Sequence, residues 1–211
     1  MPDTALPAPY ATLLTFTRYV DRTGPAKAAY VFELRQRRAA RAGFNPHGRF
    51  IKALKADIDA GTPGTHLTAA VGAVAPRWRP LYQALLPGAL NYLESIVGST
   101  RVRPREVIGT IGGLPVKINP QLGLRRPDGR LEAVRLCFDP EPLGREAVLA
   151  TLHLMERYMP AVLPDATAVL VDLRHGQIHR PEPSVKTQHL TRWLEGEAAA
   201  FAAVWNAAAA A

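Results

Sequence analysis

VIGTIGGLPVKINPQLGLRRPDGRLEAVRLCF, residues 107–138, decides the reading of the fold. Its apolar side chains recur with a period near two, and two turn signals divide it. Val107–Ile111 and Leu114–Ile118 read as strands joined by Gly112-Gly113, a two-residue hairpin connection. Leu122–Arg125 and residues 131–138 read as two more, joined across Arg126-Pro127-Asp128-Gly129, where Pro, Asp and Gly each favour a tight turn. Pro140 and Pro142 stop the last of them.

The pattern changes period on either side of this block. Downstream, residues 144–158 place Val148, Leu149, Leu152, Met155 and Met159 at helical spacing. Residues 168–173 are almost wholly apolar, as in a strand covered on both faces, and residues 178–180 start its partner. A Pro-rich linker at 181–187 leads into an amphipathic, Ala-rich helix over 187–210. Upstream, residues 25–42 read as a helix with Pro at its first turn and Gly43 past its end. Its apolar positions are Ala28, Val31, Phe32 and Ala39. A second helix over 46–60 turns Phe50, Ile51, Leu54 and Ile58 inward. Residues 65–75 are small and apolar. Another helix over 80–97 carries the stripe Leu81, Leu85, Leu86, Leu90, Leu93, Ile96 and Val97, with Pro87-Gly88 as a point of kinking.

The order is helices, antiparallel strands, a helix, a strand pair and a helix. That is an α+β chain: a helical N-terminal part, then a small mixed sheet with a C-terminal helix. The composition shift divides it into a basic helical region, 1–98, and a sheet domain, 99–211, or folds both into one integrated unit.

The chain has 211 residues, 47% of them hydrophobic, which is enough for a packed core and excludes global disorder. No apolar run reaches the roughly 18 residues that cross a bilayer, so no membrane is expected as a partner. The start, MPDTALPAPY, lacks the basic and apolar regions of a secretory signal. The one cysteine, Cys137, excludes an internal disulfide framework. A cytoplasmic location is the expectation.

The formal charge of +8 is unevenly spread. Residues 18–55 hold ten Lys/Arg against two acids, residues 101–136 hold eight against three, and residues 137–211 are mildly acidic. Aromatic side chains are interleaved with the cations: Phe16 and Tyr19 among Arg18 and Arg22, Phe44 and Phe50 among Arg49 and Lys52, and Trp78 between Arg77 and Arg79. Guanidinium groups suit bidentate phosphate contacts. Stacking on bases combined with phosphate contacts holds single strands, and a basic helix across duplex phosphates is equally consistent. The expected nucleic-acid contacts are Arg35, Arg37, Arg38, Arg41, Arg49, Lys52 and Lys55, the Arg77, Trp78 and Arg79 cluster, and Arg125, Arg126 and Arg135 across a groove.

From residue 109 to 180 the order of elements resembles the core of the PD-(D/E)XK nuclease superfamily, in its RecB-like branch. That core runs helix, three-stranded meander, helix, strand. Val107–Ile111, residues 114–124 and residues 131–138 stand for the meander, residues 144–158 for the helix and residues 168–173 for the next strand. The resemblance implies an acid near the end of the second strand and a D/E-x-K tripeptide in the third, where two carboxylates hold a divalent cation and the lysine steadies the attacking water. This sequence departs from that pattern. Gln121 or Asn119 stands at the first acid, and Arg135-Leu136-Cys137 stands at the tripeptide. Pro127-Asp128 lies in a turn, and Glu132-Ala133-Val134 after it has no lysine. The resemblance therefore implies a nuclease-like fold that has lost its metal chemistry, with DNA favoured over RNA as ligand. No catalytic residue, cofactor or metal is assigned.

Other residues have plainer readings. His175 and His179 flank Gly176 in an expected hairpin, about 13 Å apart if extended, and read as solvated turn histidines together with His189. Asp172 ends a buried strand and reads as capped by Arg174 or a backbone amide. Asp139 and Glu141 read as a solvated turn opening the next helix. Cys137 reads as a buried small side chain. Gly109-x-x-Gly112-Gly113 lacks a P-loop lysine. Two alternatives stay open. One is a non-catalytic assembly protein that dimerises or docks through apolar helices such as the 190–205 stripe. The other is a metal-dependent nuclease with a rearranged site at Asp139, Glu141 or Asp172.

Overall fold

The structure, a computed structural model, describes residues 8–40, 45–182 and 187–207. Strand Ala11–Thr12 (β1) runs directly into helix Leu13–Val20 (α1), and the Thr12 hydroxyl caps the helix by accepting the Thr15 N–H at 3.4 Å. Helices Pro25–Ala39 (α2), Gly48–Ala60 (α3), Thr65–Ala73 (α4) and, after a 3-10 turn, Arg79–Ser95 (α5) follow. Strands Thr100–Val102 (β2), Val107–Ile111 (β3), Leu114–Ile118 (β4), Leu122–Arg125 (β5) and Leu131–Cys137 (β6) come next. Helix Arg145–Val162 (α6), strands Ala166–Asp172 (β7) and Gln177–His179 (β8), and helix Thr187–Ala207 (α7) complete the α+β layout.

The main sheet has the order β2-β5-β6-β7-β8. Only β6 and β7 run parallel, because α6 carries the chain back between them; the other pairs are antiparallel. The second sheet is β1-β4-β3. Side chains along β6 and β7 alternate between two cores, as the pleat requires. Ala133, Cys137, Ala168 and Leu170 face the core filled by α1, α6, α7 and the small sheet. Val134, Leu136, Val169 and Val171 face the core filled by α3, α4 and α5. The 1–98 region thus supplies helices to both cores, and the sheet after residue 99 lies between them.

Several expectations need correction. The stretch 114–124 is two strands in different sheets, broken at Asn119-Pro120. Proline offers no N–H to a ladder, and the chain changes sheet there. The meander of the main sheet is therefore β2, β5 and β6, and the β3–β4 hairpin is inserted into it. Phe32 and Val97 are 47% and 67% exposed, not inward. Tyr30 and Val31 make the buried face of α2 instead. Pro87 does not interrupt α5. The apolar stripe of α7 is not a docking face: Leu194, Ala198, Phe201 and Trp205 are buried in this chain's own core, with Phe201 edge-on to Tyr19 at 5.1 Å. Among the described residues no helix is long and apolar enough to cross a membrane.

Candidate nucleic-acid interface

β5 begins and β6 ends at the same edge of the main sheet, because the two are antiparallel with Leu122 opposite Val134. That register brings Asn119 and Gln121 beside Arg135 and Leu136. Gln121 Oε1 accepts the Leu136 N–H at 2.8 Å. Arg135 Nη1 donates to the Asn119 carbonyl at 2.5 Å and to Asn119 Oδ1 at 3.0 Å. Asn119, Gln121, Arg135 and Leu136 therefore meet at one edge of the sheet, around a guanidinium held by an amide.

They open into a cleft of about 930 Å³. One wall is α3, whose Asn45-side end presents Gly48, Ile51 and Lys55 at steps of three and four, a single helical face. The opposite wall is Arg103-Pro104-Arg105-Glu106, between β2 and β3. A smaller cleft adjoins it and shares Lys55, Arg103, Pro104 and Gln121, adding Arg101. The two together form a groove carrying Lys55, Arg101, Arg103, Arg105 and Arg135 against one acid, Glu106. Glu106 is taken by Lys117 at 2.5 Å, and Arg101 by Asp59 at 2.5 Å. Arg103 and Arg105 are exposed and make no ion pair with a described residue.

The electrostatics of the groove follow first from burial and then from neighbouring like charge. Burial pulls the Lys55 ammonium below its ordinary value, and the Arg101 guanidinium adds to this. Burial, reinforced by Arg18, pulls Arg135 down to about 10. Arg135 is only 8% exposed, no carboxylate pairs with it among the described residues, and its Nε is buried without a hydrogen-bond partner.

The other expected contacts are dispersed. Arg35 donates to the Trp205 carbonyl at 3.2 Å, and Arg38 lies over the Tyr10 and Trp205 rings at 5.3 and 5.0 Å. These two α2 cations fasten α7 rather than face a groove. Arg37 donates to the Glu33 carbonyl and lines a separate cleft of mixed charge with Arg18, Arg22 and Glu141. Arg41 lies outside the described residues. Arg49 and Lys52 are exposed on α3. Arg77 lies 5.6 Å over Trp78, which packs against the α3–α5 core. Arg125 and Arg126 sit at the far end of β5 from the cleft, and Arg126 donates to the Ser95 carbonyl at 2.7 Å. The basic helices α2 and α3 thus belong to different cores and make no single strip. Of the expected contacts among the described residues, only Lys55 and Arg135 line the groove. Arg101, Arg103 and Arg105 were missed; the signal available was three arginines spaced by two around Val102 and Pro104.

The acids proposed for a rearranged metal site are engaged elsewhere. Asp139 pairs bidentately with Arg18, its Oδ2 2.8 Å from Arg18 Nε, and also accepts from Cys137 Sγ. Asp172 accepts the Arg174 and His175 N–H groups at 3.0 and 3.1 Å and lies 2.8 Å from His175 Nδ1. Glu141 is exposed. Among the described residues no three His, Cys, Asp or Glu side chains come together as metal ligands. Compared with known families and curated proteins, the sequence matches no family model and no curated relative.

Proposed function

We propose that this protein binds nucleic acid along the groove of Lys55, Arg101, Arg103, Arg105 and Arg135, through phosphates rather than bases. The observation that carries this reading is the charge of the groove: five cations line it, Arg101 is paired with Asp59 and Glu106 with Lys117, and Lys55, Arg103, Arg105 and Arg135 have no carboxylate partner among the described residues. A trough of one sign, open along its length, attracts a polyanionic chain. Among the described residues the groove is lined by no aromatic ring for base stacking, which favours contacts of the sequence-independent, positioning kind.

We read the fold as a degenerate relative of the PD-(D/E)XK nucleases. The order α5, meander β2-β5-β6, α6 and parallel β7 supports this; Asn119 and Gln121 lie just before β5, the second strand, and meet Arg135 and Leu136 of the third. An amide pair and a guanidinium at those positions do not fit a divalent cation, which needs carboxylate oxygens. The ligand is accordingly DNA that is held and not cut. A cytoplasmic setting suits the free thiol of Cys137.

The test is a gel-shift series with single- and double-stranded DNA and RNA at two salt concentrations, with and without magnesium. Binding that weakens steeply with salt, without cleavage, is expected. Salt-insensitive self-association with no DNA binding would transfer the protein to the assembly class, and magnesium-dependent cutting would restore the nuclease reading.

A further inference from the structure

Arg135 is the innermost cation of the groove and differs from the others in kind. Lys55, Arg101, Arg103 and Arg105 are solvated or partly solvated side chains. Arg135 projects from a central strand and is 8% exposed. Burying a guanidinium is costly unless its donors are used. Here the Nη1 donors go to Asn119, twice, while Nε is buried without a partner and no carboxylate among the described residues balances the charge. A guanidinium that lines a cleft, is oriented by a neighbouring amide and has no counter-ion among the described residues suits an oxygen of an anion entering that cleft. The cleft adds Arg103 and Arg105 beside it.

We infer that Arg135 is a metal-independent seat for one backbone phosphate of the bound nucleic acid, with Asn119 as its positioning residue. This deepens the proposed function and rests on it. The guanidinium supplies the positive charge that a divalent cation supplies in a nuclease. It offers no bound water to attack the phosphate, so the phosphodiester is fixed and left whole. Burial keeps the guanidinium poorly hydrated, and an arriving phosphate restores the interactions that folding removed.

The experiment measures binding of a short fluorescein-labelled oligonucleotide by anisotropy across a salt series, in EDTA and in magnesium, for the native protein, Arg135→Gln and Asn119→Ala. Native affinity is expected to be the same in EDTA as in magnesium. Arg135→Gln is expected to weaken binding about 10-fold and to reduce the slope of log K against log salt by about one. Asn119→Ala is expected to weaken binding while leaving the slope in place, since it removes no charge. Pyrophosphate is expected to compete with the oligonucleotide for the native protein in EDTA, a measurement that stands if Arg135→Gln does not fold. Unchanged affinity and slope in Arg135→Gln, or failure of pyrophosphate to compete, would overturn the seat while nucleic-acid binding stood. A requirement for magnesium would overturn its metal independence. No binding of any oligonucleotide by the native protein would remove the proposed function, and the seat with it.

Discussion

Asp57, in the last turn of α3, caps the start of α4 from outside it: its Oδ2 accepts the Leu67 N–H at 2.9 Å, and Oδ1 accepts the His66 N–H at 2.8 Å. Gly64 stands at the N-cap and has no side chain to do this. The carboxylate is 1% exposed, and its oxygens also meet His66 Nδ1 and Thr62 Oγ1. Asp57→Ala leaves two helix-end N–H groups without acceptors and is expected to cost about 1–3 kcal/mol. Asp57→Asn, which keeps one acceptor, is expected to recover part of that. Urea unfolding checks both, with the midpoint falling at constant m-value.

How much of this was legible in the chain depends on where each element takes its stability. β7 is apolar at nearly every position because both of its faces are covered, so it could be read from composition. The β3–β4 hairpin was legible from Gly112-Gly113, which takes φ of +50° and +82°. β2 was not. Thr100–Val102 is three residues long with an arginine in the middle, and only its pairing with β5 makes it a strand. α1 carried a readable signal in Thr12 and the apolar Leu13, Leu14, Phe16, Tyr19 and Val20, but its length is only eight residues. The site was legible in part. Counting from the Pro127-Asp128-Gly129 turn brought Asn119, Gln121 and Arg135 forward, since register along β5 and β6 is local. The walls of the groove were not, because α3 and the 103–106 segment meet only through packing on the sheet. The local charge is densest on α2, where Arg35 and Arg38 are spent on α7 and Arg37 lines a separate cleft.

Three histidines set an acid limit. Burial holds His47, His153 and His179 below their ordinary value; the Arg18 guanidinium presses His47 further down and Arg157 does so for His153, while Asp139 and Asp172 pull the other way on His47 and His179. A base whose value is lowered by folding binds more protons when unfolded, so its contribution is present in full above the unfolded value and is lost as pH falls from there through the lower folded value. Stability is therefore expected to fall as pH drops from about 7 to about 5. His153 Nε2 lies 2.9 Å from Thr191 Oγ1 and joins α6 to α7. His153→Gln is expected to lower stability at neutral pH and to flatten the pH dependence. Urea midpoints at a series of pH values test this, and a midpoint that rises on acidification would contradict it.

Cys137 is expected to be chemically silent in the folded protein. It is 0% exposed, its Sγ donates to Asp139 Oδ2 at 3.1 Å, and burial with the nearby Asp139 charge pushes the thiol up to about 12. The thiolate is the reactive form, and the native state supplies almost none of it. A disulfide-exchange reagent at about pH 8 is expected to leave the native protein untouched over the time in which it titrates one thiol in urea. Native reaction at the rate of a free thiol would mean that the end of β6 opens readily. Arg18→Ala, which removes the partner of Asp139, is expected to speed the slow native reaction by loosening that end.

The two groups of arginines are expected to separate under mutation. Arg103 and Arg105 are exposed in the groove and make no ion pair with a described residue, whereas Arg35 and Arg38 are bonded to the C-terminal helix. Arg103→Ala and Arg105→Ala should each weaken oligonucleotide binding several-fold at low salt, reduce the salt slope by about one, and leave the urea midpoint unchanged. Arg38→Ala removes two cation–π contacts from a half-buried position and should cost about 1 kcal/mol of stability with no change in the salt slope. Arg35→Ala should behave like Arg38→Ala, more weakly, since it loses a single bond to a carbonyl. Anisotropy titrations at two salt concentrations, paired with urea unfolding of the same variants, give both readouts. Equal losses of affinity from Arg35→Ala and Arg103→Ala would show that the ligand runs over α2, and the groove would lose its claim to be the interface.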